Sequence, residues 1–94
     1  MKTFKEFLLD DKISANQNIY LPAGADVVNA LKTNKGLMLL AIVKSAGYDT
    51  DIPEIRTFKI CSNDEIFTAP AVSYIGSFES SLGIKHVIEI LKEY

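Results

Sequence analysis

The side chains best equipped for chemistry are few. Cys61 is the single cysteine and His86 the single histidine, and Arg56 is the only arginine among ten basic residues. Nucleophilic catalysis needs an activated thiol or hydroxyl, a base within hydrogen-bond reach and a third group that orients the base. Cys61 closes one alternating segment and His86 opens another, so the two can meet across a sheet, with Asp64 or Glu89 to orient the ring. A lone cysteine in a small domain more often fills apolar space, and a lone histidine on an alternating segment is usually structural. The sequence therefore ranks an enzyme last. Arg56 shares an alternating face with Phe58, and a planar fork beside an aromatic ring suits a phosphate, a carboxylate or a flat base. Tyr20, Tyr48 and Tyr74 add stacking surfaces and hydroxyl donors. The competing role for Arg56 is a cross-strand ion pair with Glu54, Glu79 or Glu89.

Metal and phosphate chemistry find less. Asp49, Asp51 and Glu54 are spaced for a hard cation, but the glycine-centred calcium loop is missing and Pro53 interrupts the run. Such acids are more commonly solvated turn residues. One histidine and one cysteine are too few for a zinc site within one chain. The stretch Pro22-Ala23-Gly24-Ala25-Asp26 has one glycine and no lysine, so it lacks the cradle of a P-loop; a turn in which proline fixes one angle and glycine supplies the next accounts for it. No cofactor and no metal are expected.

These residues must be carried by a single domain, because 94 residues leave no room for a second. Apolar residues make up 48% and charged residues 23%, which is the composition of a chain that packs a core. Twelve acids against ten bases leave a net charge of −2, which argues against sequence-independent nucleic-acid binding. The longest apolar run, Leu37 to Val43, has seven residues, far short of a bilayer span. Met1 to Asp10 lacks the pattern of a secretion signal, and an unpaired cysteine fits a reducing compartment. A cytoplasmic protein is expected.

Turn formers recur at short intervals, at Asp10 to Lys12, Pro22 to Gly24, Asn34 to Gly36, Gly47 to Pro53, Ser62 to Asp64, Ala69-Pro70 and Ser80 to Gly83. The pieces between them are rich in Ile, Val, Phe, Tyr and Thr, which predicts strands. Asp26 to Ser45 reads as a hairpin, with Gly36 at the left-handed position of a three-residue loop. Its returning strand, Leu37 to Val43, is apolar on both faces and is expected at the centre of a sheet covered on both sides. Ile55 to Cys61 alternates, with Arg56, Phe58 and Ile60 on one face. Ser73 to Phe78 is also strand-like, and Gly76 marks a bulge or a close approach of another backbone. Phe4 to Leu9 and Asn18 to Leu21 give two more short strands. From Ile84 onward, helical spacing and strand alternation fit equally well. The expected fold is all-β, a small antiparallel sandwich or partly open barrel of about five to seven strands. So small a sheet leaves open edges and an under-covered apolar strand, which predicts homo-oligomerisation.

The succession Leu21-Pro22-Ala23-Gly24-Ala25, Leu40-Ala41-Ile42-Val43, Arg56-Thr57-Phe58, Tyr74-Ile75-Gly76-Ser77-Phe78 and His86-Val87-Ile88-Glu89 resembles a family of small uncharacterised phage proteins. The resemblance covers nearly the whole chain in short motifs. It departs from the pattern at Ser62 to Phe67, where the family is rich in glycine and histidine, and in the longer tail Leu91 to Tyr94. The resemblance implies a phage origin and a strand at the C-terminus, and it carries no chemistry.

The function expected from these readings is non-enzymatic. It is an accessory protein that sequesters a host-derived, nucleotide-type signalling ligand as a counter-defence. Arg56 is expected on anionic groups, Phe58 and Tyr74 as stacking surfaces, and His86 as a neutral donor. The alternative is a protein-protein module, a virion component or a direct inhibitor of a host protein that docks through an open strand edge.

Overall fold

The structure, a computed structural model, describes residues 1–44 and 52–91. They form seven strands, and no helix occurs among the described residues: β1 (Lys2–Leu9), β2 (Gln17–Pro22), β3 (Asp26–Thr33), β4 (Gly36–Lys44), β5 (Pro53–Ser62), β6 (Val72–Ser80) and β7 (Gly83–Ile90). All pairings are antiparallel. One sheet has the order β1-β4-β3 and the other β2-β5-β7-β6, and the two form a small sandwich without closing into a barrel. The segment from Ile84 is strand β7, as the resemblance implies. Tyr48, Asp49 and Asp51, which the sequence offers for stacking and cation binding, lie outside the described residues.

Two hairpins share one local device. In Thr33-Asn34-Lys35-Gly36 the threonine hydroxyl donates to the Gly36 carbonyl at 3.0 Å and accepts from the Lys35 amide at 3.1 Å. Ser80-Ser81-Leu82-Gly83 repeats it, with the Ser80 hydroxyl bonded to the Gly83 carbonyl at 2.8 Å and to the Leu82 amide at 3.2 Å. Each glycine sits at positive φ, +123° and +112°, where a β-carbon is strained. A hydroxyl residue three positions before a glycine thus closes both β3–β4 and β6–β7. The turn after β2 differs from expectation: Ala25 N–H donates to Pro22 C=O, so proline opens the turn and Gly24 stands third, with Ala23 between them.

Leu9, Leu37, Leu39, Ala41 and Val43 from the first sheet face Leu21, Phe58, Ile60, Val87 and Phe78 from the second, and these make the core. β4 is the centre of its sheet, but its expected cover on both sides is a correction. Leu37, Leu39, Ala41 and Val43 are buried, whereas Met38, Leu40 and Ile42 on the other face are only half-buried. Among the described residues the sandwich has two layers, so no third layer of these covers the outward face of a central strand.

The sheets also touch at one corner, where β3 and β6, each the edge of its own sheet, come close. The ladders shift register there, between Val27 and Asn29 in β3 and between Tyr74 and Gly76 in β6. A β-carbon on Gly76 would lie 2.6 Å from Asn29 Oδ1 and 3.0 Å from the Ala30 nitrogen, so both readings of Gly76, bulge and close approach, hold together.

Candidate functional site

Alternation along β5 decides where the candidate residues go. Arg56, Phe58 and Ile60 point into the sandwich, while Thr57, Lys59 and Cys61 point out of it. Phe58 is fully buried and offers no surface for stacking. Arg56 lies diagonally across the β5–β7 ladder from Glu89, whose direct partner is Phe58. Its Nε donates to Glu89 Oε2 at 2.6 Å and its Nη2 to Glu89 Oε1 at 2.7 Å, a bidentate pair. Nη1 donates to the Ala25 carbonyl, and Glu54 stands 3.8 Å away. The hydrogen bond to Glu89 raises the guanidinium pKa against the opposing effect of burial. The anion held by Arg56 is therefore the chain's own Glu89, the cross-strand partner that the sequence names as the rival to a ligand.

Tyr74 and His86 are on the opposite face of the same sheet. The strand order β5-β7-β6 forces the connection from β5 to β6, residues 63–71, to cross β7. It crosses on the outward face, so Cys61 and Ile88 are buried there although they point away from the core. Beneath it is an open cleft of about 360 Å³, lined by Asn63, Phe67, Val72, Tyr74, His86 and Ile88 among others. His86 Nδ1 is 2.7 Å from the Tyr74 hydroxyl, and Nε2 is 2.5 Å from Asn63 Oδ1. An amide oxygen only accepts, so these partners assign the proton to Nε2 and leave Nδ1 to accept from the tyrosine. The row is then Tyr74 to His86 to Asn63, each donating to the next. The two rings are 5.7 Å apart and tilted by 53°, and Tyr74 as a residue is 60% exposed.

The four residues expected in one site thus divide into an inward pair, Arg56 and Phe58, and an outward pair, Tyr74 and His86. Cys61 and His86 do face each other as direct partners in the β5–β7 ladder, as the sequence allows. Both ring nitrogens, however, are taken up by Tyr74 and Asn63. Burial pushes the Cys61 thiol up, and the nearby Glu65 carboxylate adds to the effect.

No family model, no curated protein and no solved structure matches this chain.

The cleft opens at one end onto a larger hollow of about 710 Å³ between the sheets, and Ser62 and Glu65 line both. Lysines gather at this end. Lys85 Nζ donates to the Ser62 hydroxyl at 2.5 Å, Lys59 Nζ stands 3.1 Å from Glu65, and Lys32 pairs with Asp11 while lying 5.6 Å above the Phe78 ring. Glu65 also accepts from the Ser62 amide at 3.1 Å. That backbone bond, followed by Lys59, holds its carboxyl below the usual range. No group of three or more metal-ligating side chains occurs among the described residues. The sequence misses Asn63 and Phe67 as site residues because Ser62-Asn63-Asp64 carries only a turn signal. Asp64 in that turn has φ +65°, in the left-handed region. The overlooked signal was topological: a connection that must cross a strand brings its side chains over that strand.

Proposed function

We propose that the protein is a non-enzymatic binding protein of phage type that captures a small nucleotide-type ligand in the cleft under the crossing connection, withholding a host signal in the host cytoplasm. The observation that carries this reading is the row Tyr74–His86–Asn63 beside an exposed aromatic face. Its hydrogen-bonding groups are already ordered by one another, which lowers the entropic cost of fixing a ligand. Phe67, Val72 and Ile88 supply apolar walls for a planar heterocycle, and stacking on an aromatic ring contributes about 1–3 kcal/mol per base. Lys85, which lines the larger hollow and donates to the Ser62 hydroxyl at the shared rim, offers the positive charge that Arg56 does not present here. Stoichiometric capture requires no general base.

The test is a thermal-shift panel of mono-, di- and cyclic nucleotides against the purified protein, since a ligand that binds only the folded state raises the melting temperature by mass action. A shift is expected that disappears in Tyr74→Ala and His86→Ala and survives in a charge change remote from the cleft and the hollow beside it, such as Lys5→Gln. No shift with any member of the panel would defeat the reading.

A second reading is favoured by the sheet edges. Among the described residues β1 and β2 each end a sheet, so each leaves one row of backbone N–H and C=O groups with no strand partner from these residues. A protein-docking module would add a strand there, and it would co-purify with a host protein while the nucleotide panel gave no shift.

A further inference from the structure

We propose that a second copy of this chain packs against the outward face of the three-stranded sheet, related by a two-fold axis that runs along β4. The ladder registers place the outward side chains in rows. Leu8, Met38 and Leu31 form one row, and Phe4, Ile42 and Asp26 another. Leu40 lies between the rows, with Glu6 beside it on the β1 rim and Val28 exposed at the β3 bulge. Phe4 and Leu8 are 64% and 60% exposed, and Val28 and Leu31 more than 40%, while Met38, Leu40 and Ile42 are half-buried only by their neighbours on the same sheet. Seven adjoining apolar side chains expose on the order of 500 Å², the upper part of what a monomer usually leaves bare. With the rim included, the face approaches the roughly 800 Å² that each partner contributes to a standard interface.

Charge selects the occupant. On this face Lys2 stands at one end of β1, and Asp26 stands at the same end of β3, on the far side of β4. An axis along β4 lays β1 of one copy over β3 of the other. Leu8 then meets Leu31 of the second copy, and Lys2 lies within reach of Asp26 of the second copy, each pair occurring twice. A surface whose opposite rims carry opposite charges at one end is complementary to itself. The midline of the face, Met38, Leu40 and Ile42, is apolar and meets its own image, and Lys44, which ends β4 on the same face level with Lys2, adds its charge at the end where the two Asp26 carboxylates lie.

Sedimentation velocity on the intact chain, from about 1 to 200 µM, reads the mass directly. A dimer is expected, with association weakened by about a hundredfold or more in Phe4→Glu/Leu8→Glu, where both positions are exposed enough to accept the change. Lys2→Asp and Asp26→Lys should each weaken it, and the double exchange should restore it. That rescue stands even if the apolar variant fails to fold, and its absence overturns the two-fold arrangement. A monomer throughout the range overturns the proposal and leaves the face to a different protein. A dimer that persists in Phe4→Glu/Leu8→Glu overturns it as well, because the contact then lies elsewhere. Mass is read without any nucleotide, so the result is independent of the ligand cleft.

Discussion

Arg56 and Glu89 face each other inside the sandwich, with both carboxylate oxygens held by the guanidinium fork at 2.6 and 2.7 Å. Glu89 is 7% exposed as a residue, and the Arg56 side chain is 17% exposed. Removing one member leaves the other charged and poorly solvated, which costs far more than the pair gains by forming. Glu89→Ala should therefore lower stability by about 3 kcal/mol, measured from urea unfolding. Glu89→Leu combined with Arg56→Met should recover most of that loss, because no charge remains to be solvated. If Glu89→Ala unfolds like the parent, the pair is not what holds this end of the sandwich.

Gly76 gives the second prediction. A β-carbon there meets Asn29 Oδ1 at 2.6 Å, and that oxygen is itself fixed by accepting from the Ala30 amide at 2.9 Å. The neighbouring Ala30 nitrogen is backbone and cannot turn away. Gly76→Ala should destabilise the fold by about 1–3 kcal/mol through overpacking at the β3–β6 corner. Gly24→Ala is the contrast, since no atom lies within 4 Å of the added carbon and only its positive φ opposes it. A Gly76→Ala variant as stable as the parent would mean that the two edge strands can separate there freely.

The legible parts of the sequence were those set by neighbours along the chain. Alternation in Ile55 to Cys61 placed Phe58 and Ile60 on one face, and the glycine at position 36 closed the hairpin, because both depend on local geometry. The grouping of Arg56 and Phe58 with Tyr74 and His86 was not legible. Parity within a strand says which residues share a face, but not which face meets the other sheet. The order β2-β5-β7-β6 was equally hidden, and with it the crossing connection that brings Asn63 and Phe67 over His86. The apolar run at Leu37 to Val43 suggests cover on both sides for a related reason: a sequence shows that a face is apolar without showing what lies on it.

Glu65 makes stability depend on pH at the other end of the molecule. Its carboxyl is lowered by the Ser62 amide and then by Lys59, so the folded state binds this proton less readily than the unfolded chain does. The stabilisation is therefore complete above the ordinary glutamate range, near 4.3, and declines as pH falls through the lowered folded value. Urea midpoints of the parent and Glu65→Gln should differ at pH 7 and converge in acid. A difference that stays constant across that range would detach the Ser62–Glu65 turn from the titration. The group is near the surface, so added salt should reduce the Lys59 part of the effect.

Cys61 reports on the crossing connection. The thiol is 4% exposed beneath residues 63–71, and burial pushes its pKa up, so little thiolate forms at neutral pH. Alkylation by iodoacetamide at pH 8 should be at least about a hundredfold slower than in the unfolded chain, given how steeply reactivity follows thiolate fraction and access. Asn63 is bonded to His86 Nε2, and that contact ties the connection to β7. Asn63→Ala should therefore speed alkylation without a matching loss of global stability, because the local opening that exposes the thiol becomes easier while the core is untouched. Mass spectrometry of the modified protein over time follows both rates. Equal rates in the parent and Asn63→Ala would mean that the His86 contact does not hold the connection down, and the preorganised row beneath it would lose its anchor.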